Sequence, residues 1–277
     1  MVIHNQSYSM QELGQRKNQE DSIFPKLSDK PQESSLYILC DGMGGHERGE
    51  VASGCVCEAM GDYFEKSAGM PSEGNFDAED FKKVLTAAYD ALDALDDGSE
   101  KKMGTTLAFL KFHEGGAFLA HIGDSRIYHI RPSENKILHV TRDHSLVNEL
   151  IDIGELTPEE AVTSPQKNII TKAMQPNQEK RCAAECFNIS DIEPDDYFFL
   201  CSDGVLEGLA DNQLCNILCM KNTSDKDKLG ILKKVTRENK DNHSAHLIRV
   251  ISVDEKSQNS HWLRRMFLFK NPKDYKQ

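Results

Sequence analysis

Three strand-like stretches open the chain, over residues 8–15, 22–27 and 35–41. The third is a nearly continuous apolar run that ends in Asp41. Two amphipathic helices follow. The first covers about 49–67, with Val51, Cys55, Met60 and Phe64 at helical spacing. The second covers 77–95, with Phe81, Val84, Leu85, Ala88 and Leu92 on one face. Residues 104–140 read as a meander, because strands over 105–112 and 117–122 flank the turn residues His113-Glu114-Gly115-Gly116. A second hairpin pairs 126–130 with 137–141. A polar, helical insert then covers roughly 145–173. Strands return over 182–189 and 197–201, helices over 211–220 and 226–239, and the last strand covers 245–253.

Strands come in runs and helices in pairs, which indicates antiparallel sheets covered by helices rather than alternating parallel units. Two stacked sheets with a helix pair on each outer face bury every apolar face. The expected class is therefore α+β, a four-layer α-β-β-α sandwich with two central antiparallel sheets.

Composition narrows the function. The net charge of -12 excludes nucleic acid as a partner, since phosphate backbones are bound by Lys and Arg clusters. Several of the eight cysteines sit in apolar runs such as Ile38-Leu39-Cys40, and no CxxC pair occurs. Buried thiols in a reducing cytosol are the expectation. No apolar segment approaches the length of a membrane span, and the N-terminus has no signal-type apolar core. The expected setting is cytoplasmic.

The candidate chemistry lies in where the acidic residues fall. Asp41 ends a strand and precedes Gly42-Met43-Gly44-Gly45-His46, and Asp203 closely follows a strand and precedes Gly204. Glu20-Asp21, Asp124 in Gly123-Asp124-Ser125-Arg126, and Asp241-Asn242 lie between or just before strands. A carboxylate at a strand end, beside a glycine that turns the chain away, is a rigid ligand platform. Several converging carboxylates require a cation, and oxygen donors suit magnesium or manganese rather than zinc. A single Asp-Gly is usually a turn, so spacing alone leaves turn and ligand readings equal.

The ordered series decides between them. It runs Arg16-x-x-x-Glu20-Asp21, Asp41-Gly42-Met43-Gly44-Gly45-His46, Gly104-Thr105-Thr106, Gly123-Asp124-Ser125-Arg126, Asp143-His144-Ser145, Ser202-Asp203-Gly204 and Asp241-Asn242. It resembles the motif series of the metal-dependent protein phosphatases, the PPM or type 2C family, and most of all its bacterial branch. The resemblance covers about residues 8–251. Residues 146–173 also resemble the flap of the bacterial enzymes.

The resemblance implies a protein serine/threonine phosphatase with two divalent cations, Mn2+ or Mg2+, and a third more weakly held. Asp41 would bridge the pair and the Gly42 carbonyl would complete one shell. Asp21, Asp203 and Asp241 would bind directly, and Glu20 directly or through a water. Asp124 would help hold the third ion, and Arg16 would clamp the substrate phosphate. A water activated between the cations would attack, with no phosphoenzyme. The implied partners are phosphorylated proteins and a cognate Ser/Thr kinase, and the implied state is a monomer.

Some positions depart from the family pattern. Met43 stands where some relatives carry a histidine general acid, so the acid is unassigned, and a structural role in the glycine loop is expected for His46. Glu207 replaces an aspartate near the third ion, and His243-Ser244-Ala245-His246 replaces more apolar residues. The domain is expected over 1–253. Residues 254–277, with His261-Trp262-Leu263-Arg264-Arg265-Met266, form a basic and aromatic extension. Its two readings are a peripheral membrane or partner contact and a segment packed on its own domain. The different-class alternative is a pseudophosphatase that binds phosphoproteins without turnover, and a small-molecule phosphomonoesterase is a third possibility. No partner is assignable from sequence for His4, His113, His121, His129, His139 or His261, and packing is the expected role of His144.

Overall fold

The structure, a computed structural model, describes residues 2–44, 48–66, 74–99 and 102–254. His46 and the extension beyond Asp254 lie outside the described residues. The strands are β1 (Val2–Glu12), β2 (Asp21–Phe24), β3 (Leu36–Met43), β4 (Gly104–Thr105), β5 (Leu107–His113), β6 (Gly116–Ile122), β7 (Arg126–Arg131), β8 (Lys136–Val140), β9 (Glu185–Ile189), β10 (Tyr197–Cys201) and β11 (His243–Asp254). The helices are α1 (Arg48–Lys66), α2 (Ala78–Asp93), α3 (Leu146–Asp152), α4 (Pro158–Thr163), α5 (Asp203–Leu206), α6 (Asp211–Leu218) and α7 (Asp225–Val235).

One sheet has the order β1-β11-β10-β7-β8. The other has the order β2-β3-β5-β6-β9, with β4 paired to β3. All the pairings are antiparallel. The period of two along each strand builds the layers. Tyr37 and Leu39 of β3 face Phe198 and Leu200 of β10 between the sheets, while Ile38 and Cys40 point outward under α1 and α2. Tyr197 and Phe199 point the other way, under α6 and α7. Both faces of these strands are covered, which is why they read as unbroken apolar runs. The four-layer sandwich is as expected.

Several elements differ from the sequence reading. The first strand starts at Val2 rather than Tyr8 and ends at Glu12, because it pairs with β11 along its whole length, from Val2↔Asp254 to Glu12↔His243. Gly14, at φ +61, then turns the chain away. Helix α1 buries Ala52, Ser53, Val56, Met60 and Gly61 and leaves Val51 exposed, so its packing stripe is rotated from the expected one. Small residues define that face: a Cβ at Gly61 would lie 2.9 Å from the Phe24 ring.

The insert is helical only in α3 and α4. Gly154, at φ +76, follows the first, and Thr157 caps the second in a capping box with Glu160, Pro158 standing in its first turn. Ser164 precedes Pro165 and is held extended, so the helix stops there. The rest of the insert is tied down by bridges Ser145↔Ile170 and Thr105↔Met174.

Candidate metal centre

The acidic residues meet at one end of the sandwich because the strand registers place them there. Asp21 opens β2 and lies opposite Asp41 of β3. In the other sheet, Cys201 lies opposite Ala245, which sets Ser202-Asp203 beside Asp241-Asn242. Two glycines allow the approach. A Cβ on Gly42 would lie 2.1 Å from the Gly49 carbonyl oxygen, and one on Gly204 would lie 2.0 Å from that of Asn242. Asp203 itself starts the short helix α5, which the sequence reading had not anticipated.

Uncharged side chains hold the backbone of the cluster. The Asp41 N–H donates to Thr106 Oγ1 (2.9 Å), and the Thr105 hydroxyl donates to the Asp41 carbonyl (2.9 Å). Asn242 accepts the Glu20 N–H (2.8 Å) and donates to the Leu13 carbonyl (2.8 Å), stapling both ends of the loop that carries Arg16. The Gly42 N–H donates to the Glu20 carbonyl (3.0 Å). These Thr and Asn roles were not assigned from sequence. Their presence in the recurring motifs Gly104-Thr105-Thr106 and Asp241-Asn242 was the available signal.

The carboxylates raise one another's affinity for protons. Burial pushes Asp21 up to about 7, with Asp203 and Asp241 adding to it against the Ser244 and Ser202 hydroxyls. Burial holds Asp41 well above the carboxylate range, and the charges of Asp21, Asp203, Asp124 and Asp241 all act on it. Asp124 is pushed up to about 8 by burial, then by Asp203 and Asp143. Asp203 and Glu20 are raised as well, first by burial, and Asp241 acts on both. Asp21 Oδ1 and Asp124 Oδ1 are buried and, among the described residues, have no hydrogen-bond partner. Orphaned buried carboxylate oxygens in an all-oxygen cluster are the donor set for hard divalent cations.

Arg16, half-exposed at the mouth, ion-pairs with Asp241, and that hydrogen bond leads the rise in its pKa, with Glu20 and Asp41 contributing. Every candidate residue is thus brought together: Arg16, Glu20, Asp21, Asp41, Gly42, Asp124, Asp203 and Asp241. Glu207 lies at the edge of the cluster, where it accepts the Lys240 N–H at 2.6 Å and its charge adds to the rise in the Asp203 pKa.

The structure also supplies partners for the unassigned histidines. His4 meets Glu33 (3.0 Å) and His129 meets Asp196 (2.9 Å), while His113 Nδ1 accepts the N–H groups of Phe76 (3.3 Å) and Gly115 (3.1 Å). His139 packs against the Phe187 ring, and His261 lies outside the described residues. His121, His144 and Glu185 gather their polar atoms within 4.8 Å of one another. That trio does not suit a metal. His144 Nδ1 accepts the Gly123 N–H (3.1 Å), and burial beside His121 holds its pKa down to about 4. The neutral ring therefore carries its proton on Nε2, the atom facing Glu185, where a ligand lone pair would be needed. Its place is at the root of the insert, where the expected packing role is met by paired hydrogen bonds to Gly123.

The protein phosphatase 2C family profile matches residues 12–266. Protein phosphatase PhpP of Streptococcus pneumoniae is 38% identical over 185 residues, 66% of this chain and 72% of that protein. Serine/threonine phosphatase Stp1 of Staphylococcus aureus superposes with a TM-score of 0.73 at 31% identity, covering 90% of this chain and 96% of that one. The catalytic domain of PstP, a serine/threonine protein phosphatase solved with two manganese ions, superposes with a TM-score of 0.73 at 26% identity, over 91% and 100% of the two chains. With this fold, the carboxylates gathered at one end of both sheets and a family match along nearly the whole sequence, the chain belongs to the protein phosphatase 2C family.

Proposed function

We propose that the chain is a metal-dependent protein serine/threonine phosphatase whose centre is the cluster at the ends of β2, β3, β10 and β11. The observation that carries this is the convergence of Asp21, Asp41, Asp203 and Asp241 from both sheets, with the buried Asp21 Oδ1 left, among the described residues, without a hydrogen-bond partner. Asp41 lies in the middle of that charge, which suits it to bridge two cations. Asp21, Asp203, Asp241, the Gly42 carbonyl and Glu20 would complete the donor set, and Asp124 would serve a third ion. When bound, two divalent cations supply an activated water and offset the charge of the phosphoryl group.

The protein's own part is positioning. The strand ends fix the donors, and Arg16 offers a planar fork to the phosphate once it leaves Asp241. Manganese is supported by the relative solved with it, and magnesium fits the same oxygen donors. The leaving-group acid is left to a water, since Met43 cannot donate a proton. The pseudophosphatase alternative finds no support, as the relatives are named as phosphatases.

In this reading, residues 1–253 form the catalytic domain with the insert at 145–173, and 254–277 form an extension. Phosphoproteins made by a Ser/Thr kinase are the substrates, and a cytoplasmic monomer is the setting. Among the described residues no helix is long and apolar enough to cross a membrane.

The test is hydrolysis of p-nitrophenyl phosphate and of a phosphothreonine peptide, with manganese and with EDTA. Turnover that needs the metal is expected. Absence of turnover with any divalent ion on either substrate would return the chain to the pseudophosphatase reading.

A further inference from the structure

Ser202 is fully buried and sits where the two sheets meet at the centre, directly before Asp203. Its hydroxyl donates to Asp21 Oδ2 at 2.9 Å. Ser202 Oγ in turn accepts the Ser244 N–H at 3.0 Å, and the Ser202 N–H donates to the Ser244 carbonyl at 3.1 Å. A hydroxyl has one proton to give. With a lone pair taken by the β11 backbone, that proton is directed to Asp21.

The consequence for Asp21 is an asymmetric carboxylate. Oδ2 is occupied, while Oδ1 is buried and, among the described residues, has no hydrogen-bond partner. The backbone of Asp21 is fixed as well. Its N–H donates to Gln19 Oε1 (3.0 Å), and its carbonyl accepts from Gln11 Nε2 (2.7 Å). Asp21 belongs to one sheet, while Ser202 and Asp203 follow β10 of the other. This hydrogen bond therefore ties a carboxylate from one sheet to its neighbour from the other, with the Ser244 hydroxyl of β11 acting on the same carboxylate.

We propose that Ser202 is a positioning residue of the metal centre, which holds Asp21 so that it offers Oδ1 alone to a divalent cation. The proposal rests on the metal-centre reading above. A group that orients a ligand in this way contributes about 10–100-fold in metal affinity. Because Ser202 does not touch the reacting atoms, the loss falls more on metal affinity than on kcat.

The test is calorimetric titration of metal-stripped protein with manganese, alongside the metal-free Tm, for the wild type, Ser202→Cys and Ser202→Thr. Cysteine keeps nearly the serine volume with a weak donor, and threonine keeps the hydroxyl. The expected result is that Ser202→Cys binds manganese about 10–100-fold more weakly, at an unchanged metal-free Tm, while Ser202→Thr stays close to the wild type. Wild-type affinity in Ser202→Cys overturns the proposal. So does equal weakening of both variants with a fall in metal-free Tm, which marks a packing role. A wild type that binds no manganese overturns the metal-centre reading itself, so the two failures are distinguishable.

Discussion

Asp203 and Arg16 represent two kinds of residue in the centre, and their substitutions separate by kinetics. Asp203→Asn removes charge from a half-enclosed carboxylate that burial and the charge of Asp241 hold up, while a hydrogen bond with Asp41 works against them. The expected outcome is weaker manganese binding and a loss in kcat/KM of at least about 100-fold, measured on p-nitrophenyl phosphate. Near-normal rates at saturating manganese would remove Asp203 from the donor set. Arg16→Ala leaves the cluster intact and deletes a charge-assisted contact of about 1.5–3 kcal/mol. KM should rise roughly 10- to 100-fold, with a smaller fall in kcat, and the reverse pattern contradicts a phosphate clamp. Asp41 and Asp203 were legible because each stands at or just after a strand end and precedes a glycine, whereas Asp21, Asp124 and Asp241 were legible only through the ordered motif series. The hydroxyl and amide partners were not. The partner of Ser202 or Asn242 depends on which strands lie side by side, and period-two patterning does not fix that order.

At the scale of elements, the closeness of β10 and β11 at their catalytic ends depends on Gly204. Its missing Cβ leaves room for the Asn242 carbonyl, 2.0 Å from where that atom would stand. Gly204→Ala is expected to cost about 1–3 kcal/mol by overpacking and to weaken manganese binding as Asp203 moves from Asp241. Thermal denaturation and calorimetric titration check both, and a variant unchanged in each contradicts the account.

Strands over 35–41 and 197–201 were clear from their apolar runs, which reflect burial on both faces. The start of β1 was hidden because His4 and Gln6 break the alternation, and only pairing with β11 extends the strand to Val2. The insert over roughly 145–173 was read as polar and helical, whereas Gly154 and Pro165 confine its helices to α3 and α4. The face of α1 was misread because close approach, rather than hydrophobicity, selects Ala52, Ser53 and Gly61.

For the whole molecule, the cluster sets stability against charge. Asp21 and Asp124, pushed up to about 7 and about 8, stay protonated in the native state where the unfolded chain has already released those protons. The native state then binds more protons, so their contribution falls as pH rises from about 4 through 7–8. Metal-free protein should have a lower Tm at pH 8 than at pH 5.5, and added manganese should raise Tm more at pH 8, because the ion replaces the protons. A manganese stabilisation that does not grow with pH contradicts this linkage.

The central claim is that the acidic ends of the two sheets form one two-cation centre bridged by Asp41. Titration of metal-stripped protein with manganese, for the wild type and Asp41→Asn, tests it most directly. The account predicts two tightly bound equivalents in the wild type, with the third ion weaker, and the loss of both tight sites together in the variant. A single equivalent in the wild type, or two retained in Asp41→Asn, contradicts it.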